Sequence, residues 1–284
     1  MHEARSFKAQ LAVASARLKS AGFHQPGREA RRLMQLACGM SASDLIREEL
    51  AEMGDAARTA FFDLIERRAS GEPFEYLTGE ASFYGLDLHC THDTLIPRAD
   101  SEVVVDEALA RLPLGRDLHI ADLGTGTGCL LIALLANQPG VKGTGVELSE
   151  GAAAVARRNL ARHDLTARGT VLNQSWQDWS GWGEVDLIIS NPPYIRTTVI
   201  DTLDAGVRAF EPHSALDGGD DGLDAYRDII ARASRGMKSD AWLVFEIGFD
   251  QRETVSALLK DAGFEAISSV QDHGQRDRVV AAKR

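Results

Sequence analysis

The sequence predicts an α/β protein in which a small helical bundle precedes a mainly parallel sheet covered by helices on both faces. Two observations predict it. Before about residue 80, apolar residues recur only at helical spacing, with no strand signal. Beyond about residue 117, short apolar runs alternate with helical stretches in the βα manner, and a glycine-rich turn follows the first run.

Phe7, Leu11, Ala14 and Leu18 fall at i, i+4, i+7 and i+11, an amphipathic stripe that Gly22 ends. Residues 29–37 are helical by propensity, and Ser43 or Asp44 can cap the next element. Residues 56–68 carry Phe61, Phe62, Leu64 and Ile65 on a broad apolar face. At Ser70-Gly-Glu-Pro73 the texture changes and a linker begins. Phe83, Leu86 and Leu88, then Thr94-Leu-Ile-Pro97, read as a hairpin or two short strands. The expected division is therefore a helical domain at 1–72, a linker with a β-hairpin at 73–98, and a second domain at 99–284. In that domain, strands are expected at 119–122, 142–147, 169–173, 185–190, 241–247, 265–270 and 278–282, with helices to about residue 137 and at 150–163, 222–237 and 252–262.

Composition narrows the function classes. Of the 284 residues, 44% are hydrophobic and 26% charged, ordinary values for a globular chain. No apolar run of about 18 residues appears, and the opening MHEARSFKAQ lacks a signal-peptide pattern, so a cytoplasmic protein is expected. Three widely spaced cysteines give neither a disulfide framework nor a metal signature. A net charge of −11, from 42 acidic and 31 basic residues, works against a sequence-independent hold on phosphate backbones. No direct nucleic-acid binding is expected. Asp217-Gly-Gly-Asp-Asp-Gly222 resembles a calcium loop in composition alone and reads as a solvated loop.

Asp122-Leu-Gly124-Thr125-Gly126-Thr127-Gly128 lies between the first strand of the sheet and its first helix. Glycine there lets the backbone approach a ligand, and the helix start offers free N–H groups. A dinucleotide fingerprint would need glycine where Cys129 stands, and no phosphate-loop motif occurs. Glu147 ends the next strand about 20 residues on, where acidic side chains bind ribose hydroxyls. A nucleoside-bearing cofactor is implied.

Ser190-Asn191-Pro192-Pro193-Tyr194 follows the run Val185-Asp-Leu-Ile-Ile189. Two adjacent prolines cannot continue a sheet ladder, and each pushes the preceding residue to an extended conformation. Asn191 then offers a side-chain carbonyl, Pro192 a main-chain carbonyl and Tyr194 a ring, a set that suits a planar NH₂ group.

Together the Asn-Pro-Pro-Tyr motif and the Asp-Leu-Gly-Thr-Gly-Thr-Gly loop resemble those of class I S-adenosylmethionine methyltransferases that modify adenine N6, cytosine N4 or glutamine N5. The flanks Tyr76-Leu-Thr-Gly79, Thr94-Leu-Ile-Pro-Arg98-Ala-Asp-Ser-Glu102, Phe210-Glu-Pro212, Ala215-Leu-Asp-Gly-Gly219 and Asp277-Arg-Val279 are similar to the peptide chain release factor glutamine methyltransferases. The resemblance covers nearly the whole chain.

It implies a Rossmann-like, seven-stranded methyltransferase domain joined by the hairpin linker to the helical domain, which helps hold the partner. It further implies that Gly124, Thr125, Gly126, Thr127, Gly128, Glu147, Ser175, Trp176 and Asn191 bind S-adenosylmethionine, released as S-adenosylhomocysteine, with Trp176 packed on the adenine. Asn191, Pro192, Pro193 and Tyr194 would grip the substrate glutamine, with Asn191, Pro192 and Tyr194 serving the chemistry. The expected substrate is a release factor, acted on by a monomer without metal or membrane. Ser175 stands where members often have an acidic residue, a departure that bears on cofactor affinity. Arg98 and Glu102 fall on the substrate-side wall without an assigned role. Rival readings are a ribosomal-protein glutamine as target, adenine methylation of DNA, and a cofactor-bound interaction module.

Overall fold

A computed structural model of the chain describes residues 5–113 and 116–284. It divides into two compact units: one runs to Thr78 and includes Ala205–Phe210, and the other comprises Gly79–Asp204 and Glu211–Arg284.

The first unit holds α1 (Phe7–Ser20), α2 (Pro26–Cys38), α3 (Ala42–Arg47), α4 (Asp55–Ala69) and α5 (Phe74–Thr78). Leu18, Leu33, Met34, Phe61 and Ile65 are fully buried in its core. Arg68 Nε donates to Glu29 Oε2 at 2.6 Å, joining α4 to α2. Helix α2 starts earlier than helical propensity suggested because Pro26 takes the first turn, where its missing N–H is no loss. The cap of α3 is Ser41, not Ser43 or Asp44. Ser41 Oγ accepts the Asp44 N–H at 3.1 Å and the Asp44 carboxylate accepts the Ser41 N–H at 3.2 Å, a reciprocal box that satisfies two end donors.

The second unit opens with an antiparallel hairpin, β1 (Glu80–Phe83) and β2 (Leu86–His89), whose two-residue turn has positive φ at both Tyr84 and Gly85. Residues 94–97, expected above to belong to a hairpin or short strand, are not a strand. The Thr94 hydroxyl donates to the Thr91 carbonyl at 3.0 Å and closes a turn over 91–94, beyond which 95–97 run irregularly. Then come α6 (Glu102–Arg111), β3 (Leu118–Leu123), α7 (Cys129–Asn137), β4 (Val141–Glu147), α8 (Glu150–Arg162), β5 (Gly169–Asn173) and β6 (Leu187–Ser190). They are followed by α9 (Thr197–Ile200), α10 (Ala205–Phe210, part of the first unit), α11 (Asp224–Gly236), β7 (Trp242–Glu246), α12 (Arg252–Asp261), β8 (Glu265–Gln271) and β9 (Asp277–Lys283).

The seven strands lie in the order β5-β4-β3-β6-β7-β9-β8, parallel except for β9, which runs antiparallel to both of its neighbours. Alternate residues of each strand feed separate cores. Ile120, Ile189 and Val244 pack with α6 and α7, whereas Ala121, Ile188 and Phe245 pack with α11 and α12. Helix α7 is buried through Leu130–Leu135, which explains a sequence apolar on every side. Helix α6 escaped the sequence reading because Val103, Val104 and Val105 favour strand, yet all three are buried against the sheet as part of a helix.

Candidate active site

Strand β3 pairs with β4 on one side and β6 on the other, with Asp122 opposite Gly145 and Ile189. The chain turns away from β3 in both directions here, so the loops after β3, β4 and β6 open together at their carboxyl ends. They enclose a cavity of about 390 Å³.

Its floor is the glycine loop. Gly124, Gly126 and Gly128 have φ of +72°, +57° and +82°, left-handed values that a side chain would strain. The Gly126 N–H donates to Glu147 Oε2 at 2.9 Å, and the Ser149 N–H donates to Oε1 at 2.9 Å, so the carboxylate ending β4 ties the loop to the start of α8. From behind, Asn159 Nδ2 donates to the Thr127 and His89 carbonyls at 2.9 Å each, while its Oδ1 accepts the His89 N–H at 2.7 Å. Nothing in the sequence pattern singles out this fully buried asparagine on α8.

Asp122 is 1% exposed and on the cavity wall. Thr125 Oγ1 donates to its Oδ2 at 2.6 Å, but among the described residues Oδ1 has no well-formed hydrogen bond. Burial pushes the carboxyl up to about 7, against the opposing pull of the Thr125 hydroxyl and the Leu131 N–H, and the nearby Glu147 adds to the rise. A buried oxygen of this kind asks for a cationic or donating partner.

Trp176 stands beside Gly124, and its Nε1 donates to Asp228 Oδ2 at 2.8 Å. Gln177 Nε2 shares that oxygen at 3.1 Å and Arg232 Nε donates to Oδ1 at 2.9 Å. Burial opposes the charge on Asp228, but these three donors outweigh it and hold the carboxyl below its usual range. Ser175 is not on the wall; its hydroxyl accepts the Gln177 N–H at 3.1 Å and shapes the turn that delivers Trp176. Leu148, 70% exposed on the wall, had no signal in the sequence beyond following Glu147.

The Ser190 hydroxyl donates to the Leu123 carbonyl at 2.6 Å and locks the end of β6 to β3. Beyond it the chain leaves the sheet, both prolyl bonds trans, and no backbone N–H among the described residues is bonded to the Pro192 carbonyl. Asn191 and Pro193 join Gly124, Thr125, Gly126, Thr127, Glu147 and Trp176 on the cavity wall. Gly128, Pro192 and Tyr194 do not: Gly128 starts α7, Pro192 is buried, and the Tyr194 hydroxyl donates to Glu246 Oε1 at 3.3 Å. Arg98 lines the cavity and pairs with buried Glu211. Glu102 instead accepts the Tyr84 N–H at 2.7 Å, holding the hairpin turn rather than a substrate.

A parallel sheet switching at β3, a glycine loop answered by a strand-terminal carboxylate, and Asn191 at the same opening define a class I S-adenosylmethionine-dependent methyltransferase. Two family profiles match the chain, the PrmC N-terminal domain over residues 10–79 and the methyltransferase small domain over residues 103–211. The release factor glutamine methyltransferase of Caulobacter vibrioides is 40% identical over 268 residues, covering 94% of this chain and 93% of that protein. That of Agrobacterium fabrum is 41% identical over 285 residues, covering 97% and 96%. In fold, a methyltransferase from Pyrococcus furiosus superposes with a TM-score of 0.51 at 15% identity, covering 71% of this chain and 90% of that one. The chain belongs to the release factor glutamine methyltransferase family.

Proposed function

We infer that the protein transfers the methyl group of S-adenosylmethionine to N5 of the glutamine in the Gly-Gly-Gln motif of peptide chain release factors, acting as a cytoplasmic monomer and so modulating translation termination. The observation that carries this reading is that Asn191 opens onto the same cavity as the glycine loop and Glu147. No helix among the described residues is long and apolar enough to cross a membrane.

The residues fit the cofactor. Each Glu147 oxygen accepts one N–H and keeps a lone pair for a ribose hydroxyl. The unsatisfied Asp122 Oδ1 suits the amino-acid ammonium, and Trp176 with Leu148 offers apolar surface to the adenine. S-adenosylmethionine supplies an electrophilic methyl on a sulfonium sulfur. The glutamine amide is a poor nucleophile because its lone pair is delocalised into the carbonyl. Asn191 Oδ1 and the Pro192 carbonyl accept its two N–H groups, aim the nitrogen and favour the positive charge that grows on it. The methylated nitrogen is strongly acidic and loses its proton to water, so the protein need not supply a base. The helical unit assists in holding the release factor, and Ile46 and Leu50, 70% and 73% exposed, are apolar side chains available to it.

The test is incubation with S-adenosylmethionine and purified release factors, followed by mass-spectrometric location of the methyl group. Label on the Gly-Gly-Gln glutamine is expected. Label confined to a ribosomal protein or to DNA refutes the reading.

A further inference from the structure

One buried carboxylate has no task in this scheme. Glu246 ends β7, is 2% exposed, and lies beside the end of β6 because Ser190 pairs with Phe245. Its Oε1 accepts the Tyr194 hydroxyl at 3.3 Å, and its Oε2 has no well-formed hydrogen bond among the described residues. Burial raises its pKa; the Ser101 hydroxyl, Arg278 and the Tyr194 hydroxyl oppose that rise, and Asp100 adds to it. Arg278 is itself divided, with Nη2 3.1 Å from Asp272 Oδ2 and 3.4 Å from Asp100 Oδ2, so one guanidinium faces three carboxylates. A carboxyl held this way burdens folding, and the bond that ties it to the site is the one to Tyr194.

Tyr194 is held at its carbonyl as well, and Arg278 also bonds its hydroxyl. Gln251, 5% exposed, donates from Nε2 to the Tyr194 and Gly222 carbonyls at 3.1 Å each, and its Oε1 accepts the Gly248 N–H at 2.9 Å. The Tyr226 hydroxyl donates to the Glu246 carbonyl at 2.8 Å and closes the network. The segment 217–222 lies against the same backbone. A Cβ on Gly218 would come within 2.8 Å of the Pro193 carbonyl oxygen, and one on Gly222 within 2.4 Å of the Tyr194 oxygen. The segment is therefore not the plain solvated loop expected from composition: Asp220 and Asp221 are exposed, but Gly218 and Gly222 are buried against Pro193–Tyr194.

We propose that Glu246 and Gln251 are positioning residues for methyl transfer, holding Tyr194 at its hydroxyl and its carbonyl so that Asn191 and Pro192, just before it, present their oxygens in one fixed direction. This rests on the role assigned above to Asn191 and Pro192. Misplacing a reacting group by about 1 Å costs on the order of 10² in rate, so a rigid support behind the acceptors acts on turnover more than on cofactor binding.

The experiment is steady-state kinetics of the full-length enzyme on a release factor, with calorimetric S-adenosylmethionine binding. The variants are Tyr194→Phe, Glu246→Ala, Glu246→Gln, Gln251→Ala and the Tyr194→Phe/Glu246→Ala pair, with Asn191→Ala as reference. Tyr194→Phe, Glu246→Ala and Gln251→Ala are each expected to lower kcat about 10-fold while the cofactor Kd stays within about two-fold. The double variant should fall no further than the worse of its singles. Glu246→Gln, which keeps an acceptor for the Tyr194 hydroxyl, should restore most of kcat. Multiplying losses in the double variant, cofactor affinity lost in step with kcat, or no rescue by Gln overturns the proposal. If Glu246→Ala does not fold, unchanged kcat in Tyr194→Phe overturns it by itself. Normal turnover in Asn191→Ala removes the acceptor role on which it rests, whereas a crippled Asn191→Ala beside normal Tyr194→Phe, Glu246→Ala and Gln251→Ala overturns only the positioning claim.

Discussion

The backbone N–H of Gly126 donates to Glu147 Oε2 at 2.9 Å, so a carboxylate on the cavity wall also sets the shape of the loop beneath it. Removing that carboxylate takes away a charged acceptor and one restraint on a loop that Val146 and Asn159 also hold. A hydrogen bond to a charged group contributes about 1.5–3 kcal/mol, which corresponds to roughly 10- to 150-fold in an equilibrium constant. Glu147→Ala is therefore expected to raise the S-adenosylhomocysteine Kd by about that factor, and Glu147→Gln by less, measured by calorimetry. Unchanged affinity in Glu147→Ala would show that the carboxylate serves the loop alone.

If Asp122 meets the cofactor's ammonium group as proposed, cofactor affinity should depend on pH. Its carboxyl titrates near 7, raised chiefly by burial, and the ionised form is the one that suits an ammonium group. Affinity for S-adenosylmethionine should rise from pH 6 to pH 8 in the wild type and lose most of that slope in Asp122→Asn, with weaker binding throughout. Calorimetric titration at several pH values checks this.

The same group sets a stability trend of opposite sign. A carboxyl whose folded pKa is raised binds its proton more tightly in the folded chain, so its stabilisation is complete below about pH 4 and is lost as pH rises through about 7. Without cofactor, Asp122→Asn should melt several degrees above the wild type at pH 8, with the gap narrowing towards pH 5. Equal differences at both pH values would exclude a buried titrating Asp122.

Asn191→Ala removes one of the two acceptors proposed for the amide while leaving the glycine loop and Glu147 in place. The loss of one preorganised polar group lowers kcat by about 10² or more. Cofactor affinity should change little, because Glu147, Asp122 and Trp176 line other parts of the wall. Single-turnover methylation of a release factor reads this directly, and near-normal turnover would sink the assignment.

The sheet was legible because β-strands buried on both faces read as short apolar runs, and the turns of the candidate site because glycine and proline act through the backbone itself. Gly124-Thr-Gly126-Thr-Gly128 and Pro192-Pro193 fix where the chain can go whatever surrounds them. The side chains that hold those turns left no such mark. Asn159, Asp228, Glu246 and Gln251 each act across 29 to 70 residues of sequence, through hydrogen bonds that only the folded sheet brings about. Glu102 shows the converse, since its place in a motif suggested the substrate wall and its carboxylate holds the Tyr84 turn instead.

Trp176 carries the last prediction, because its ring is held by its edge. The Nε1 bond to Asp228 fixes the indole, and Arg232 and Gln177 keep Asp228 in place, so the ring is oriented before any base arrives. Stacking of a base on an aromatic side chain contributes about 1–3 kcal/mol by alanine substitution. Trp176→Ala should therefore raise the S-adenosylhomocysteine Kd by about 10-fold or more, and Trp176→Phe, which keeps a ring but loses the anchor, by less. Asp228→Ala leaves the ring intact and releases only its orientation, so its effect should be smaller still, about two- to five-fold. In the wild type, cofactor binding should quench tryptophan fluorescence, and this quench should vanish in Trp176→Phe although Trp179, Trp182 and Trp242 remain. A quench that survives the substitution would move the adenine away from Trp176 and leave the Asp228 bond as support for the turn alone.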